Sequence, residues 1–241
     1  MMPLADRVIL ARGWRRWLVG LAAGAVGALA MPPFGVLPAL ALSLAPAVWL
    51  LDGAGKNGPS RWAPVRSAAL VGWIWGFGYF VAGLWWLGAA FLVEADQFAW
   101  ALPLGVLGLP ALLAFFPAAG FALAQLLWRH GAARILAFAF ALTISEILRG
   151  HLFTGFPWNS PGMALGHHLW LMQAASVAGL YGLTLAAAAI GAAPALLGTG
   201  RSARERWTAP GLAAAALAGL AVFGAARVPA APVFSFVKVI R

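Results

Sequence analysis

The chain has 241 residues, 63% hydrophobic and 9% charged, with a mean hydropathy of +0.89. A water-soluble domain carries roughly 25% charged residues, so this composition excludes one and points to a multi-pass membrane protein. A net charge of +10 would suggest nucleic acid in a soluble chain, but these cations sit in short clusters between apolar runs, which argues against nucleic acid, and the absence of cysteine excludes disulfides and thiolate sites within the chain.

Arg12, Arg15 and Arg16 precede a Gly/Ala-rich run over 17–30. Its Ala28-Leu29-Ala30 ending could pass for a signal-peptide cleavage site, but further spans follow at once, so it reads as an uncleaved first membrane helix. Gly20, Gly24 and Ala28 recur every fourth residue and make a face that another helix can approach closely. Met31-Pro32-Pro33-Phe34-Gly35 predicts a tight turn, and the chain returns over 36–51, short against the roughly 20 residues a bilayer needs. A loop over 52–66 carries Lys56, Arg61 and Arg66. Span three, 67–90, holds Gly72 and Gly76 as a small-residue face and the rings of Trp73, Trp75, Tyr79, Trp85 and Trp86, most of them packing groups or interface anchors. Glu94 and Asp96 follow in a short acidic loop.

Span four, 98–128, carries Pro103, Pro110 and Pro117 seven residues apart, and each proline removes a backbone donor, which predicts a kinked helix. It either lines a cavity or is simply bent. Arg129 and Arg134 bracket the next turn, and span five runs over 133–149. Span six, 168–197, has Gly179-Leu180-Tyr181-Gly182 in its middle as a place for close helix approach, and span seven covers 207–226 beyond Arg201, Arg204 and Arg206. The expected fold is an all-α membrane bundle of about seven transmembrane helices over 1–228, then a Pro-rich linker and one β-strand, Val233 to Ile240, within 229–241. Twelve Lys and Arg fall on the side of the N-terminus and four on the other, which predicts a cytoplasmic N-terminus and an extracytoplasmic C-terminus.

One stretch concentrates polar chemistry: Glu146-Ile-Leu-Arg149-Gly-His-Leu-Phe-Thr154-Gly-Phe156-Pro157-Trp158-Asn159. Glu146 and Arg149, three apart, share a helix face and can pair; ionisable groups at this depth point inward to a partner or a wet cavity. Gly150 reads as the helix C-terminal cap, and Gly155 and Pro157 forbid regular continuation, so an irregular aromatic loop follows. His151, His167 and His168 lie nearby without metal-ligand spacing, so no metal and no cofactor is implied. Ser145, Thr154 and Ser160 are candidate hydroxyl nucleophiles with His151 or His167 as base, but no nucleophile-elbow motif accompanies them. Arg149 either offers its donor fork to a lipid phosphate or only neutralises Glu146; Trp158 either rims an acyl-chain site or anchors the interface.

The pattern Glu-x-x-Arg-Gly-x-x-x-Thr-Gly-Phe-Pro-Trp over 146–158, with Gly72-Trp-Ile-Trp-Gly76-Phe-Gly78-Tyr79-Phe80-x-x-Gly83-x-x-Trp86, resembles bacterial apolipoprotein N-acyltransferases. The resemblance implies an inner-membrane enzyme that moves an acyl chain from a phospholipid donor to the diacylglyceryl-cysteine of a lipoprotein acceptor. It also implies an extracytoplasmic nitrilase-like α/β domain with a Glu-Lys-Cys triad, of which this sequence reaches only the expected first strand. No catalytic residue carries over, and the chain alone is expected to be inactive. The candidate substrate- or lipid-binding residues are Tyr79, Trp86, Glu146, Arg149, Thr154, Phe156, Pro157, Trp158 and Asn159. The competing class is a small transporter or structural membrane protein, against which no inverted repeat is visible. Oligomeric state is left open.

Overall fold

The computed structural model describes residues 3–54, 60–200 and 202–228, and over these the chain is a helical bundle. Its main elements are α1 (Leu4–Ile9), α2 (Trp14–Ala28), α3 (Pro38–Ala54), α4 (Ala63–Gly83), α5 (Ala95–Leu126), α6 (Ala133–His151), α7 (Ala175–Ala192) and α8 (Ala203–Arg227). Among the described residues, five helices are long and apolar enough to cross a bilayer: α4, α5, α6, α7 with its continuation to Thr199, and α8. The expected first and second spans are helices of 15 and 17 residues, α2 and α3, below the usual crossing length of about 20. The strand expected over Val233 to Ile240 lies outside the described residues.

Small residues set the helix spacing. A Cβ on Gly24 would stand 1.9 Å from the Trp75 carbonyl oxygen, and one on Gly78 would stand 2.3 Å from that of Leu21, so α2 and α4 touch backbone to backbone. On the far side of α4, Gly72 and Gly76 admit Pro117 and Phe121 of α5 in the same way. Thus α4 is sandwiched between α2 and α5. Trp75, Tyr79, Phe80, Phe121 and Phe138 fill the joint, with the Trp75 and Tyr79 rings stacked 5.1 Å apart.

Three expectations are adjusted, and the distortion of α5 is as expected. Span three ends at Gly83, and Trp85–Leu92 forms a separate 3-10 segment lying against α5, with Gly88 close to Val106. The prolines of α5 do distort it: a π-helical stretch, Leu104–Gly108, stands between Pro103 and Pro110. In α7, Gly179 does not receive a neighbouring helix; its φ of +64° breaks the segment, and nothing would meet a Cβ there. Close approach falls instead at Gly191, against Leu40 and Leu44, and at Gly162, against Leu180 and Thr184 of α7. Asp52, placed by sequence in a loop, belongs to the last turn of α3.

Asp52 belongs to a polar cluster at the end of the bundle where α2, α4, α6 and α8 begin. It accepts hydrogen bonds from Arg134 at 3.1 Å and from Trp128 Nε1 at 3.1 Å, while Arg134 also donates to Thr199. Nearby, buried Arg16 donates to the Leu50 carbonyl at 2.5 Å. This basic end faces away from the loop over 152–160, the signature loop. Helix α8 is little buried along its length, yet it packs on the bundle through Leu217, Leu220 and Ala221 and where Gly224 meets the Trp170 carbonyl.

Candidate functional site

The site forms where α4 and α6 end together. Helix α6 does not stop at Gly150 as the sequence suggested; it runs one residue further to His151. Gly150 is needed for contact: a Cβ there would lie 2.1 Å from the Tyr181 hydroxyl. The reversal falls on Phe153, Thr154 and Gly155, with φ of 52°, 76° and 80°. Left-handed backbone at two non-glycine residues in a row is costly, so the loop beyond must be held from elsewhere.

Arg149 holds it. The side chain is fully buried in the last turn of α6, at the negative end of the helix dipole. Its Nε donates to Glu146 Oε1 at 3.1 Å, and one terminal nitrogen donates to Glu146 Oε2 at 2.5 Å and to Ser160 Oγ at 3.2 Å. The other donates to the Phe156 carbonyl and, at 2.9 Å, to that of Trp158. A guanidinium has five N–H donors, and all five are committed to acceptors within the chain. Its flat face lies over Phe80, Cζ 5.0 Å from the ring centroid. Ser160, also buried, donates to Glu146 Oε2 at 2.8 Å and completes a closed triad.

A second clasp comes from α4. The Tyr79 hydroxyl donates to the Asn159 carbonyl at 2.8 Å, and the Asn159 side chain donates to the Gly83 carbonyl at 2.9 Å. Asn159 has φ +57°, a conformation asparagine tolerates better than most residues, and Gly83 leaves room for its amide. Held on both sides, the loop presents Trp158, 54% exposed, beside Trp86, 40% exposed, with ring centroids 5.6 Å apart. These two indoles form an apolar rim over a polar, closed base.

Of the candidates named from sequence, Tyr79, Trp86, Glu146, Arg149, Phe156, Trp158 and Asn159 meet in this one assembly. Pro157 lies exposed within the loop, and Thr154 is exposed at the reversal, outside the bonded network. Ser160, weighed from sequence only as a nucleophile, is a bonded member of the buried triad; its place directly after Asn159 was the available signal. Phe80 was quoted within the aromatic-glycine motif without its role as a platform for Arg149. Ser145 is buried and donates to the Leu142 carbonyl at 2.8 Å. His151 contacts the Ile147 carbonyl at 2.8 Å and approaches Tyr181, and among the described residues no group of three or more His, Cys, Asp or Glu is placed to hold a metal.

Fold and site together define a multi-pass helical membrane protein whose charged residues at one helix end brace an aromatic loop. A family model described as the apolipoprotein N-acyltransferase N-terminal domain matches residues 23–193. The apolipoprotein N-acyltransferase of Rhodopseudomonas palustris is 53% identical over 230 residues, covering 95% of this chain and 42% of that protein. That of Agrobacterium fabrum is 52% identical over 93% of this chain and 42% of its own length, and that of Brucella melitensis is 50% identical over 94% and 43%. The chain belongs to the apolipoprotein N-acyltransferase family, matching its N-terminal domain, and spans about two fifths of the length of these curated relatives.

Proposed function

We propose that residues 1–228 act as the membrane domain of an apolipoprotein N-acyltransferase, with the signature loop on the outer face of the bacterial inner membrane. In that reaction a cysteine thiolate attacks a phospholipid ester carbonyl and expels the lysophospholipid, leaving a thioester. The α-amine of a diacylglyceryl-cysteine lipoprotein then attacks the thioester, forms the amide and releases the thiolate. This chain contains no cysteine, and its buried hydroxyls Ser145 and Ser160 are spent on internal hydrogen bonds, so its part is to receive and orient lipid rather than to supply the nucleophile. Family membership does not favour the transporter reading.

The observation that carries this reading is the pairing of an exposed Trp86–Trp158 rim with a fully saturated Arg149 beneath it. Trp86 and Trp158 offer amphipathic rings at the depth where acyl chains meet headgroups. Arg149 acts as a positioning residue: it fixes the two carbonyls that set the angle of Trp158. The purified chain, mixed with phospholipid and a diacylated lipopeptide, should yield no N-acylated product. Product above background that disappears in Ser145→Ala or Ser160→Ala would overturn the assignment. The cation asymmetry supports a cytoplasmic N-terminus; reporters fused after Arg241 and beside Arg204 should report opposite sides, and the same side from both would refute that orientation.

A further inference from the structure

Away from the signature loop, a shallow apolar groove of about 550 Å³ runs between α2 and α4 near the basic end, walled by Trp17, Leu18 and Leu21 on one side and Leu70, Trp73 and Phe77 on the other. Its walls are set in advance. The Trp73 indole donates to the Ala111 carbonyl at 3.2 Å, stacks on Phe77 at 5.4 Å with 5° between planes, and meets Phe115 edge-on. Its floor is the helix contact itself, where Gly24 and Gly78 bring α2 and α4 backbone to backbone.

The mouth is cationic. Helices α2 and α4 run in parallel, and the pairing of Gly20 with Val71 and Ile74 sets the start of α2 level with Arg66. Arg66 is exposed and lies four residues before Leu70, on the same helical face. Arg15 lies over the Trp14 ring, Cζ 5.7 Å from its centroid, and Trp14 itself lines the groove. No carboxylate is among the lining residues. Aromatic and aliphatic walls, with Arg15 and Arg66 on the two helices at the end where both begin, match a lipid whose headgroup is negative.

We propose that the α2–α4 groove binds an anionic phospholipid from the leaflet on the N-terminal side, with one acyl chain against Trp17, Leu70 and Trp73 and the phosphate between Arg15 and Arg66. This lipid is bound rather than consumed, and it lies at the opposite end of the bundle from the Trp86–Trp158 rim. Each guanidinium near the headgroups favours an anionic lipid by about fivefold.

The test is native mass spectrometry of the delipidated full chain in detergent, titrated with phosphatidylglycerol or with phosphatidylcholine of the same chains. The first bound lipid should be phosphatidylglycerol by at least about fivefold, falling to parity in Arg15→Gln/Arg66→Gln. Leu70→Trp, which fills the groove, should reduce the first adduct with both lipids while circular dichroism stays unchanged. Equal adducts in the unmodified chain, or a preference that survives Arg15→Gln/Arg66→Gln, would overturn the proposal. So would a Leu70→Trp variant that turns a dimer into a monomer and leaves the adducts as they were, since the groove would then seat a second copy of the chain.

Discussion

Replacing Arg149 with methionine keeps an unbranched apolar stem that ends where the guanidinium begins, and removes all five of its hydrogen bonds. Glu146 is 4% exposed, so its carboxylate would be stranded with Ser160 as its one remaining donor. Removing one partner of a buried pair costs about 3–5 kcal/mol, most of it the penalty on the charge left behind. Adding Glu146→Gln removes that charge and should restore about 2 kcal/mol. The rest should not return, because the Phe156 and Trp158 carbonyls still lack their donor, at about 1 kcal/mol each. Unfolding in mixed dodecylmaltoside and SDS micelles, followed by far-ultraviolet circular dichroism, would order the variants as wild type, double, then single. Hydrogen exchange over residues 152–160 should rise in both variants, since both lose the clasp on the loop. A single variant costing under about 1 kcal/mol, or a double no more stable than the single, would refute the claim that Arg149 and Glu146 act as a buried pair.

Tyr79→Phe removes only the donor to the Asn159 carbonyl and should cost about 1 kcal/mol, with increased exchange confined to the loop; increased exchange along α4 would show that the hydroxyl serves the helix instead. Gly24→Ala forces a methyl to within 1.9 Å of the Trp75 carbonyl oxygen and should cost about 1–3 kcal/mol by parting α2 from α4. Gly211→Ala, in α8 where nothing would meet the new Cβ, should instead be neutral or stabilise by up to about 1 kcal/mol, and equal losses at both positions would mean that helix contact is not what Gly24 provides.

Membrane class, the small-residue faces and the polar stretch at 146–160 were all legible in the sequence, because each rests on local chemistry. Every fourth residue small means backbone contact wherever the partner lies, and Gly24 and Gly72 met partners that way. Gly179 shows where such reading fails. Glycine serves either a close neighbour or a positive φ, and which of the two applies depends on tertiary structure that one sequence does not display. The same ambiguity applies at Gly150, which reads as a helix cap in sequence but serves contact with Tyr181, while α6 runs on to His151 and the positive φ falls at Gly155. The dual reading of Arg149 could not be resolved from spacing alone. An i, i+3 pair with Glu146 predicts one ion pair, whereas the carbonyls of Phe156 and Trp158 come into reach only after the chain has reversed through three residues at positive φ.

The two ends of the bundle use charge differently, and the difference follows from geometry. At the basic end, Arg134 and Asp52 join residues far apart in sequence, with Thr199 as a further partner, so their bonds tie separate helices together. At the signature end, Glu146, Arg149 and Ser160 lie within 14 residues, and their bonds shape one loop. Losing a tie between helices should loosen packing across the bundle, while losing a local staple should free the loop and leave the helices in place. The interface between α2 and α4 depends on neither, since it is made by glycines in backbone contact. A conservative change at Arg149 therefore shifts the aromatic rim while the glycine contacts between helices stay in place. Its effect on acylation can be read in a protein that carries this domain together with the nitrilase-like catalytic domain the family resemblance implies. Arg149→Lys, which keeps the charge but not the fork, should there preserve the helical signal and slow acyl-enzyme formation.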